Sequence, residues 1–509
     1  MSETSCASPL IAPLLADRTD PGHPAICIGD MVLSYGELRQ SIAATADALQ
    51  RAGVRPGDRV AISLPKSVGA LTLILATLAV GAAYVPLNYR LPASQLRAIL
   101  RELRPRLLVA GDLAIQSIEP ATLPGLSIAR TDGKTCMPLE QVQRFPGSTP
   151  DIASPDDLAA ILYTSGTTGE PKGIMLSHQG MTSFVDWAAD TFHVSAEDRA
   201  TSHAPFHFDL SIFDIFCTLN RHASLYVLDD LATRFPGAMR AVLEKAAITV
   251  WYSVPTALAQ LQARRALLGL QSLRVMLFAG EVFQVPLLRQ VMADLPTVEF
   301  ANLYGPTETN VCTWYRVPGP LASDVDILPI GRVCPHYDVS LLDCNGAPVR
   351  KGETGEICVA GPSVMLGYWQ QPELTAASRI DGRRDSYRTG DLGYLRGDGE
   401  LMLVGRKDQQ VKVRGYRIEL LALEATLNAH PAVHEAIAVT TQDSAGGQLA
   451  VFLAPRGTQA EPSDLRDYIA SRLAPYYLPD RFEWLPELPR TANGKADRSA
   501  LRLRAHTNS

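Results

Sequence analysis

Short apolar runs alternate with longer amphipathic segments along most of the chain. Between about residues 23 and 400, strand-like runs such as RVAISL at 59–64 and ITVWYSV at 248–254 are separated by helical patterns. That alternation predicts βαβ units and an α/β fold with largely parallel sheets. Such sheets bind ligands in loops beyond the carboxyl ends of their strands. The candidate strand LAAILY at 158–163 leads into the loop TSGTTGEPKG, so we expect a ligand there.

The pattern changes near residue 405. The charged segment GRKDQQVKVRGYRIEL is followed by the helical pattern LLALEATLNAH, two strand-like runs, EAIAVTT and LAVFLAP, and the helical pattern DLRDYIASRL. These elements predict a small α+β domain of about a hundred residues. We therefore predict a large domain over residues 1–405 and a small one over 406–509, with a hinge near Asp408.

Composition and charge narrow the class of protein. The chain has 509 residues, 46% of them hydrophobic and 20% charged, as in globular proteins with a sizeable core. Its formal net charge of -6 argues against general nucleic-acid binding. The N-terminus lacks a secretory-signal pattern, and the apolar stretch at 70–87 predicts a buried helix followed by a strand, not a membrane span. The eight cysteines form no regular framework, so we expect reduced thiols and a cytoplasmic location.

The loop after LAAILY has the composition of an anion site. Glycines allow close backbone approach, hydroxyls donate hydrogen bonds and a lysine adds positive charge. That set suits polyphosphate oxygens, although it does not match the GxxxxGK[ST] phosphate-binding loop. The alternative is a solvated, flexible linker. The residues in question are Thr164, Ser165, Gly166, Thr167, Thr168, Gly169, Lys172 and Gly173.

Nine ordered motifs give the chain a family resemblance. It resembles the adenylate-forming superfamily, and most closely the adenylation enzymes of nonribosomal peptide synthesis. The resemblance implies a large N-terminal domain of mainly parallel sheets flanked by helices, a distorted β-barrel subdomain, and a small mobile C-terminal lid. The motifs are LSYGEL (33–38), VGAAYVPLN (80–88), ILYTSGTTGEPKG (161–173), FDLS (208–211), NLYGPTE (302–308), GETGEICVAG (352–361), YRTGDLGYL (387–395), GRKDQQVKVRGYRIE (405–419) and LPRTANGK (488–495).

The resemblance also implies a reaction and its residues. A carboxylate attacks the α-phosphorus of ATP, giving acyl-AMP and pyrophosphate, and the negative charge must be neutralised throughout. The 164–169 loop would grip the pyrophosphate, and Lys495 would bridge the substrate carboxylate and the phosphate. The small domain would then rotate about Asp408 so that a thiol can attack the acyl-AMP. The remaining implied roles are Thr307 at the α-phosphate, Glu308 at Mg²⁺, Asn302 and Tyr304 at adenine, Asp391 and Arg406 at the ribose, and Lys172, Gly280, Glu281 and Gly305 elsewhere in the ATP site.

The matching pocket positions indicate the acid. Asp209 of FDLS matches the carboxylate that amino-acid-activating members pair with the substrate ammonium group. The other positions carry no second charge, so the substrate should be a small apolar amino acid. The set resembles that of stand-alone enzymes that activate L-proline. Pipecolate and valine remain alternative substrates, because one methylene changes the binding free energy in an apolar pocket by only about 1–3 kcal/mol. These positions are Leu210, Phe213, Tyr252, Leu277, Ala279, Leu303, Val311 and Cys312.

The same resemblance indicates the thiol that accepts the acyl group and the rival functions to be considered. No carrier or condensation domain follows LPRTANGK, so we expect a separate peptidyl carrier protein with a phosphopantetheine arm, with coenzyme A as the alternative acceptor. Neither nucleic acid nor a membrane is expected as a partner. An acyl- or aryl-CoA ligase is the rival enzyme, against which Asp209 is the main evidence. A degenerate nucleotide-binding regulator would be expected to lack Glu308, Asp391 or Lys495, and all three are present.

Two further signals are not taken as functional sites. His203 and His207 are four residues apart, but no third ligand at a useful spacing supports a zinc site. Cys312 is read as a small pocket residue because the reaction needs no enzyme thiol.

Overall fold

The structure is a computed structural model of the chain. It describes residues 9–16, 20–118, 126–131, 154–164, 171–228, 236–407, 410–443, 446–490 and 497–507. Among these residues, no helix is both long enough and apolar enough to cross a membrane.

Two large sheets form the centre of the molecule. Five of the eight strand pairs in the nine-stranded sheet are parallel, and so are four of the six pairs in the seven-stranded sheet. The predicted α/β class with mainly parallel sheets is confirmed. The nine-stranded order is Arg332–Val333, Thr313–Val317, Glu299–Tyr304, Val275–Ala279, Val250–Ser253, Arg199–Ser202, Ser224–Val227, Pro24–Ile28 and Met31–Ser34. The seven-stranded order is Gly367–Tyr368, Lys172–Ser177, Leu158–Thr164, Ala83–Pro86, Arg59–Ser63, Leu107–Ala110 and Ser127–Arg130.

Helices cover these sheets. Val68–Ala79 is buried almost all round, starts at a Ser67 cap whose Oγ accepts from the Ala70 amide, and leads into Ala83–Pro86. The buried helix and strand predicted for 70–87 are therefore confirmed. The other helices of the large part are Ala12–Leu15, Tyr35–Arg51, Ala93–Leu103, Asp112–Ile118, His178–Thr191, Leu210–Ile212, Thr218–Asn220, Pro236–Lys245, Pro255–Ala263, Val285–Asp294 and Pro372–Ala377, with a π-helical segment at Phe213–Cys217.

The implied β-barrel subdomain is wrong for the described part of the chain. Four antiparallel strands form an open sheet there, in the order Asp338–Leu342, Gly355–Ala360, Ser386–Leu395 and Leu401–Arg406. Its two edge strands do not pair with each other. Leu401 instead exchanges backbone hydrogen bonds with Ile330 and Gly331, beside the nine-stranded sheet, so the sheet does not close.

The C-terminal part has its own sheet and core. The helices predicted from LLALEATLNAH and DLRDYIASRL occur as Leu420–Asn428 and Pro462–Ala470. The two predicted strands pair in a three-stranded sheet and enclose a separate apolar cluster. The division at residue 405 and a hinge at Asp408 stay predictions, since Asp408 lies outside the described residues. The remaining elements are the hairpin Gln410–Val413 and Tyr416–Glu419, the strands Val433–Asp443, Gly446–Pro455 and Arg481–Trp484, a short 3-10 helix at Pro475–Tyr477, and the helix Arg498–Thr507.

Candidate active site

A cavity of about 100 Å³ lies at the carboxyl ends of the central strands. The strands Val250–Ser253, Val275–Ala279 and Glu299–Tyr304 run parallel and approach it from one side, and Leu158–Thr164 ends beside it. This is the edge at which parallel sheets bind ligands. Many residues proposed from the sequence line it together: Thr164, Asp209, Leu210, Tyr252, Ala279, Gly280, Gly305, Thr307, Val311 and Arg406.

Strand register explains the apolar wall of this cavity. Tyr252 lies opposite Leu277, and Ala279 lies opposite Leu303. Because side chains alternate along a strand, residues 277 and 279 share one face of the sheet. Leu277, Leu303 and Phe213 are fully buried in the layer next to the lining, and the Phe213 ring meets the Tyr252 ring edge-on at 5.3 Å between centroids. Cys312 is also buried, and its amide donates to the Tyr304 carbonyl.

Asp209 supplies the carboxylate at this otherwise apolar cavity. It immediately precedes the helix Leu210–Ile212, and its Oδ2 accepts a hydrogen bond of 2.6 Å from Thr307 Oγ1. An ionised carboxylate has further lone pairs, so it can still accept from a ligand. Burial raises the pKa of Tyr252 well above its usual value, and the charge of Asp209 adds to that effect. Tyr252 is therefore a neutral phenol beside a carboxylate.

Three residues proposed for the nucleotide form one hydrogen-bonded group. The Tyr304 hydroxyl donates to Asp391 Oδ2 at 2.6 Å, and Arg406 Nη1 donates to Asp391 Oδ1 at 2.6 Å. Burial and the Asp391 charge raise the pKa of Tyr304 well above its usual value. Asn302, on the same strand as Tyr304, donates from Nδ2 to the Pro329 carbonyl at 2.8 Å.

Glu281 connects the large and small parts of the chain. Its Oε2 accepts from the amide of Thr256 at 2.9 Å and from the Thr256 hydroxyl at 2.6 Å. Its Oε1 accepts from the Gly415 amide at 2.6 Å, across 134 positions of sequence. The neighbouring Gly280 has a φ of +89° and lines the cavity. Glu281 thus anchors the turn of the C-terminal hairpin near the site.

Glu308 is buried and belongs to a second group of hydrogen-bonded polar side chains. Its Oε1 accepts from the Tyr368 hydroxyl at 2.9 Å, and that hydroxyl lies 3.2 Å from the hydroxyl of Tyr387. Lys172 Nζ lies 5.9 Å from the centroid of the Tyr368 ring. In the described ranges, no three His, Cys, Asp or Glu side chains are grouped so as to hold a metal ion.

Comparison with known proteins identifies the family. The model of the AMP-binding enzyme family matches residues 16–369, and that of the AMP-binding enzyme C-terminal domain matches residues 422–495. The chain belongs to the AMP-binding enzyme family. Enzymes of this family use ATP.

Relatives of this AMP-binding enzyme align with it over nearly the whole chain. It is 36% identical to an L-proline:L-prolyl-carrier protein ligase of Pseudomonas fluorescens, over 94% of this chain and 96% of that one. It is also 36% identical to the ligase of the same name from Streptomyces coelicolor, over 98% of both chains. Among solved structures, the amide bond synthetase McbA from Marinactinospora thermotolerans matches with a TM-score of 0.85 and 25% identity, over 97% of this chain and 99% of that one.

Several proposed residues of this AMP-binding enzyme lie outside the described part of the chain. They are Ser165, Gly166, Thr167, Thr168 and Gly169 of the phosphate loop, the hinge residue Asp408 and the catalytic candidate Lys495. Their roles stay predictions.

The structure also shows a second cavity, of about 340 Å³, which the sequence did not indicate. Tyr416 and Tyr476 of the C-terminal part line both cavities, with their rings stacked at 4.4 Å between centroids. Phe208 meets Tyr416 edge-on at 4.7 Å. The Arg414–Gly415 turn could have been found from the glycine in VKVRGYRIE, but Tyr476 has no local signal in the sequence. The residues shared by the two cavities are His207, Phe208, Leu210, Gly415, Tyr416 and Tyr476.

Proposed function

We propose that this AMP-binding enzyme activates L-proline as prolyl-AMP, releasing pyrophosphate, and then transfers the prolyl group to the phosphopantetheine thiol of a separate carrier protein. The observation that carries the proposal is the Asp209 carboxylate, held by Thr307 at the edge of a small apolar cavity. The two relatives named as L-proline ligases support the choice of amino acid. Pipecolate and valine are the alternative substrates.

Asp209 selects for an amine in this proposal. A carboxylate in a largely apolar cavity needs a partner, and the ammonium group of an amino acid supplies one. An acid that lacks the amine leaves the carboxylate unpaired, so the cavity rejects it. Tyr252 lines the cavity and Phe213 packs against the Tyr252 ring behind it, an arrangement that suits a small ring better than a phenyl group.

The ATP site is proposed on the residues beside this cavity. Thr164 and the loop after it would bind the pyrophosphate, Thr307 the α-phosphate, and the group of Tyr304, Asp391 and Arg406 the nucleoside. Asp391 has lone pairs beyond those used by its two protein partners, so it can also accept from ribose hydroxyls. The other residues proposed for ATP are Lys172, Gly280, Glu281, Asn302 and Gly305.

Mg²⁺ is proposed at Glu308. Protein sites for Mg²⁺ often use one or two carboxylates together with substrate phosphates. The single buried Glu308, with Tyr368 orienting one of its oxygens, fits that pattern. A bound Mg²⁺ would neutralise phosphate charge.

Two arrangements of the small domain are part of the proposal. Lys495 would enter the site for adenylation, bridging the substrate carboxylate and the phosphate, and rotation about Asp408 would then remove it. In the described arrangement the Arg414–Gly415 turn lies against the site through Glu281. We assign this arrangement to thiol transfer.

The second cavity is the proposed path of the thiol arm. It shares lining residues with the amino-acid cavity, and its described lining includes Lys66, Arg90 and Arg414 but no Asp or Glu. A phosphopantetheine arm is a long neutral chain with a phosphate at its outer end. Cations along such a cavity, in a chain with a net charge of -6, favour that anionic group.

Substrate-dependent pyrophosphate exchange tests the proposed function. The panel consists of L-proline, L-pipecolate, L-valine, L-phenylalanine, benzoate and octanoate. We expect proline to give the fastest exchange and the two plain acids to give none above background. Exchange with benzoate or octanoate but with no amino acid would overturn the assignment. Mass spectrometry of candidate carrier proteins, incubated with enzyme, ATP and proline, then identifies the acceptor.

A further inference from the structure

Asn310 places a side-chain amide at the wall of the amino-acid cavity. It lines that cavity together with Asp209 and Val311, and only 7% of the residue is exposed. Its Oδ1 accepts a hydrogen bond of 2.8 Å from the Val311 amide. Because a backbone amide can only donate, the side-chain atom that faces it is the oxygen, and the Nδ2 group points elsewhere. The orientation of this side chain is therefore fixed.

The backbone around Asn310 holds the side chain in place. Asn310 has a φ of +57°, in the left-handed region that asparagine adopts more readily than most residues. Its carbonyl oxygen accepts from Thr309 Oγ1 at 2.9 Å. The same oxygen lies so close to Gly305 that a Cβ at that position would be 1.7 Å from it. The turn that presents Asn310 therefore requires glycine at position 305.

The Nδ2 group of Asn310 is a donor that the protein leaves open. It has no hydrogen-bond partner among the residues that the structure describes. It is also not among the unpartnered polar atoms that are sealed off from solvent, so it is accessible from the cavity that Asn310 lines. An unpartnered donor on a buried side chain is uncommon in folded proteins and indicates a missing partner.

Two neighbouring donors at this cavity are already engaged within the protein. Thr307 Oγ1 donates to Asp209. Arg406 Nη1 donates to Asp391. The hydroxyl proton of a lining tyrosine can turn towards different acceptors, whereas the Asn310 amide cannot. Asn310 thus supplies a donor of fixed direction to whatever occupies the cavity.

A small apolar amino acid offers one acceptor to this donor. Its ammonium group is assigned to Asp209 and its side chain carries no polar atom, so its carboxylate remains. A charged acceptor makes a shorter and stronger hydrogen bond than a neutral one. Thr307, which bonds to Asp209, precedes Asn310 by three residues in the same turn. The two side chains therefore lie close enough to serve two groups attached to one carbon atom.

We propose that Asn310 is a further substrate-binding residue, whose Nδ2 group donates to one oxygen of the substrate carboxylate. The assignment rests on the proposed function, because it takes an amino acid as the occupant of the cavity. Asp209 and Asn310 together hold the amino acid at both of its charged groups. The second carboxylate oxygen is left to react, and orientation of this kind removes freedom before the reaction begins.

Asn310→Gly tests the proposal, because glycine adopts the same positive φ and removes the donor. We expect kcat/KM for L-proline in pyrophosphate exchange to fall roughly 10- to 100-fold, as for the loss of a hydrogen bond to a charged group. Pyrrolidine, the ring of proline without its carboxyl group, is assayed as a competitive inhibitor, and its inhibition constant should not change. A distorted cavity would instead weaken the binding of both ligands.

Asn310→Asp is the second variant. It keeps an oxygen for the Val311 amide and replaces the donor by an anionic oxygen, which repels a carboxylate and attracts an ammonium group. We expect a larger loss of kcat/KM for proline than in Asn310→Gly, with inhibition by pyrrolidine unchanged or stronger. Asn345→Asp is the matched control, since Asn345 is exposed in a turn and lines none of the three cavities described, so it should leave all constants unchanged.

Three results would contradict this role. They are an unchanged kcat/KM for proline in Asn310→Gly, an equal weakening of proline and pyrrolidine binding, or a rise in KM confined to ATP, which would assign the donor to the nucleotide. The assay uses whichever amino acid gives the fastest exchange, with the amine that lacks its carboxyl group as the inhibitor. Failure of proline would therefore overturn the proposed substrate, while the comparison of acid and amine still decides the role of Asn310.

Discussion

At the scale of single residues, the buried carboxylate of Asp391 accepts hydrogen bonds from two side chains. Tyr304 and Arg406 each take one of its oxygens at 2.6 Å. A hydrogen bond to a buried charged group contributes about 1.5–3 kcal/mol to stability, more than one between neutral groups. This group therefore supports the fold as well as the proposed nucleotide site.

Replacing Tyr304 by Phe should lower the free energy of unfolding by about 1.5–3 kcal/mol, because Asp391 loses a donor while remaining buried. Urea denaturation measures the change. Tyr394→Phe is the control, since Tyr394 is half-buried and its hydroxyl has no hydrogen bond within the described residues. Equal losses in the two variants would show that the hydroxyl bond to Asp391 contributes nothing specific.

Residues within motifs were predictable, and contacts between distant segments were not. Asp209 and Thr307 lie in motifs, while Tyr252 and Ala279 were pocket positions implied by the family resemblance, and all four line one cavity. The bond from Gly415 to Glu281 was not expected, because no local pattern encodes a contact across 134 positions.

At the scale of elements, the C-terminal hairpin docks through its turn. Arg414 and Gly415 have φ angles of +54° and +81°, as in the tight turns that connect antiparallel strands. A Cβ at Gly415 would lie 2.7 Å from Val254 Cγ1, closer than packed atoms allow. The turn therefore needs glycine both for its backbone angle and for its contact.

Gly415→Ala should displace the hairpin from Glu281 and Val254 and slow thiol transfer more than pyrophosphate exchange. The positive φ alone disfavours alanine by about 1 kcal/mol, and the contact with Val254 adds to it. Gly352→Ala is the matched control, because Gly352 has a φ of +89° and no atom within 4 Å of the added carbon. If the control slows transfer as much as Gly415→Ala does, the docking contact is not responsible.

Buried parallel strands were the most predictable elements. Runs such as LAAIL are apolar throughout because both faces of their sheet are covered. The π-helical segment Phe213–Cys217 was missed, since its apolar pattern does not differ from that of a buried α-helix. The barrel came only from the resemblance, and the pairing of Leu401 with Gly331 leaves that sheet open.

At the scale of the whole molecule, buried neutral histidines make stability depend on pH. Burial lowers the pKa of His178 to about 4 and that of His203 to about 3. Unfolded histidine has a pKa of about 6.5. Below that value the unfolded chain binds more protons than the folded one, so the free energy of unfolding falls as the pH falls towards 4.

Each such histidine should contribute a slope of up to about 1.4 kcal/mol per pH unit between its two pKa values. Urea denaturation of the wild-type protein should therefore give a lower free energy of unfolding at pH 5 than at pH 7. In His178→Asn the difference between the two pH values should be smaller by about 2 kcal/mol. An unchanged difference would contradict the assignment of a buried neutral His178.

The most direct test of the central claim compares L-proline with cyclopentanecarboxylate, a five-membered ring acid in which a methylene replaces the ring amine. Pyrophosphate exchange is measured for the wild-type enzyme and for Asp209→Asn, which keeps a side-chain oxygen for Thr307 but removes the charge. The account predicts that wild-type exchange requires proline. It also predicts that Asp209→Asn lowers kcat/KM for proline about 100-fold, a typical effect of leaving one member of a charge pair alone. Equal exchange with both acids, or unchanged exchange in Asp209→Asn, would contradict it.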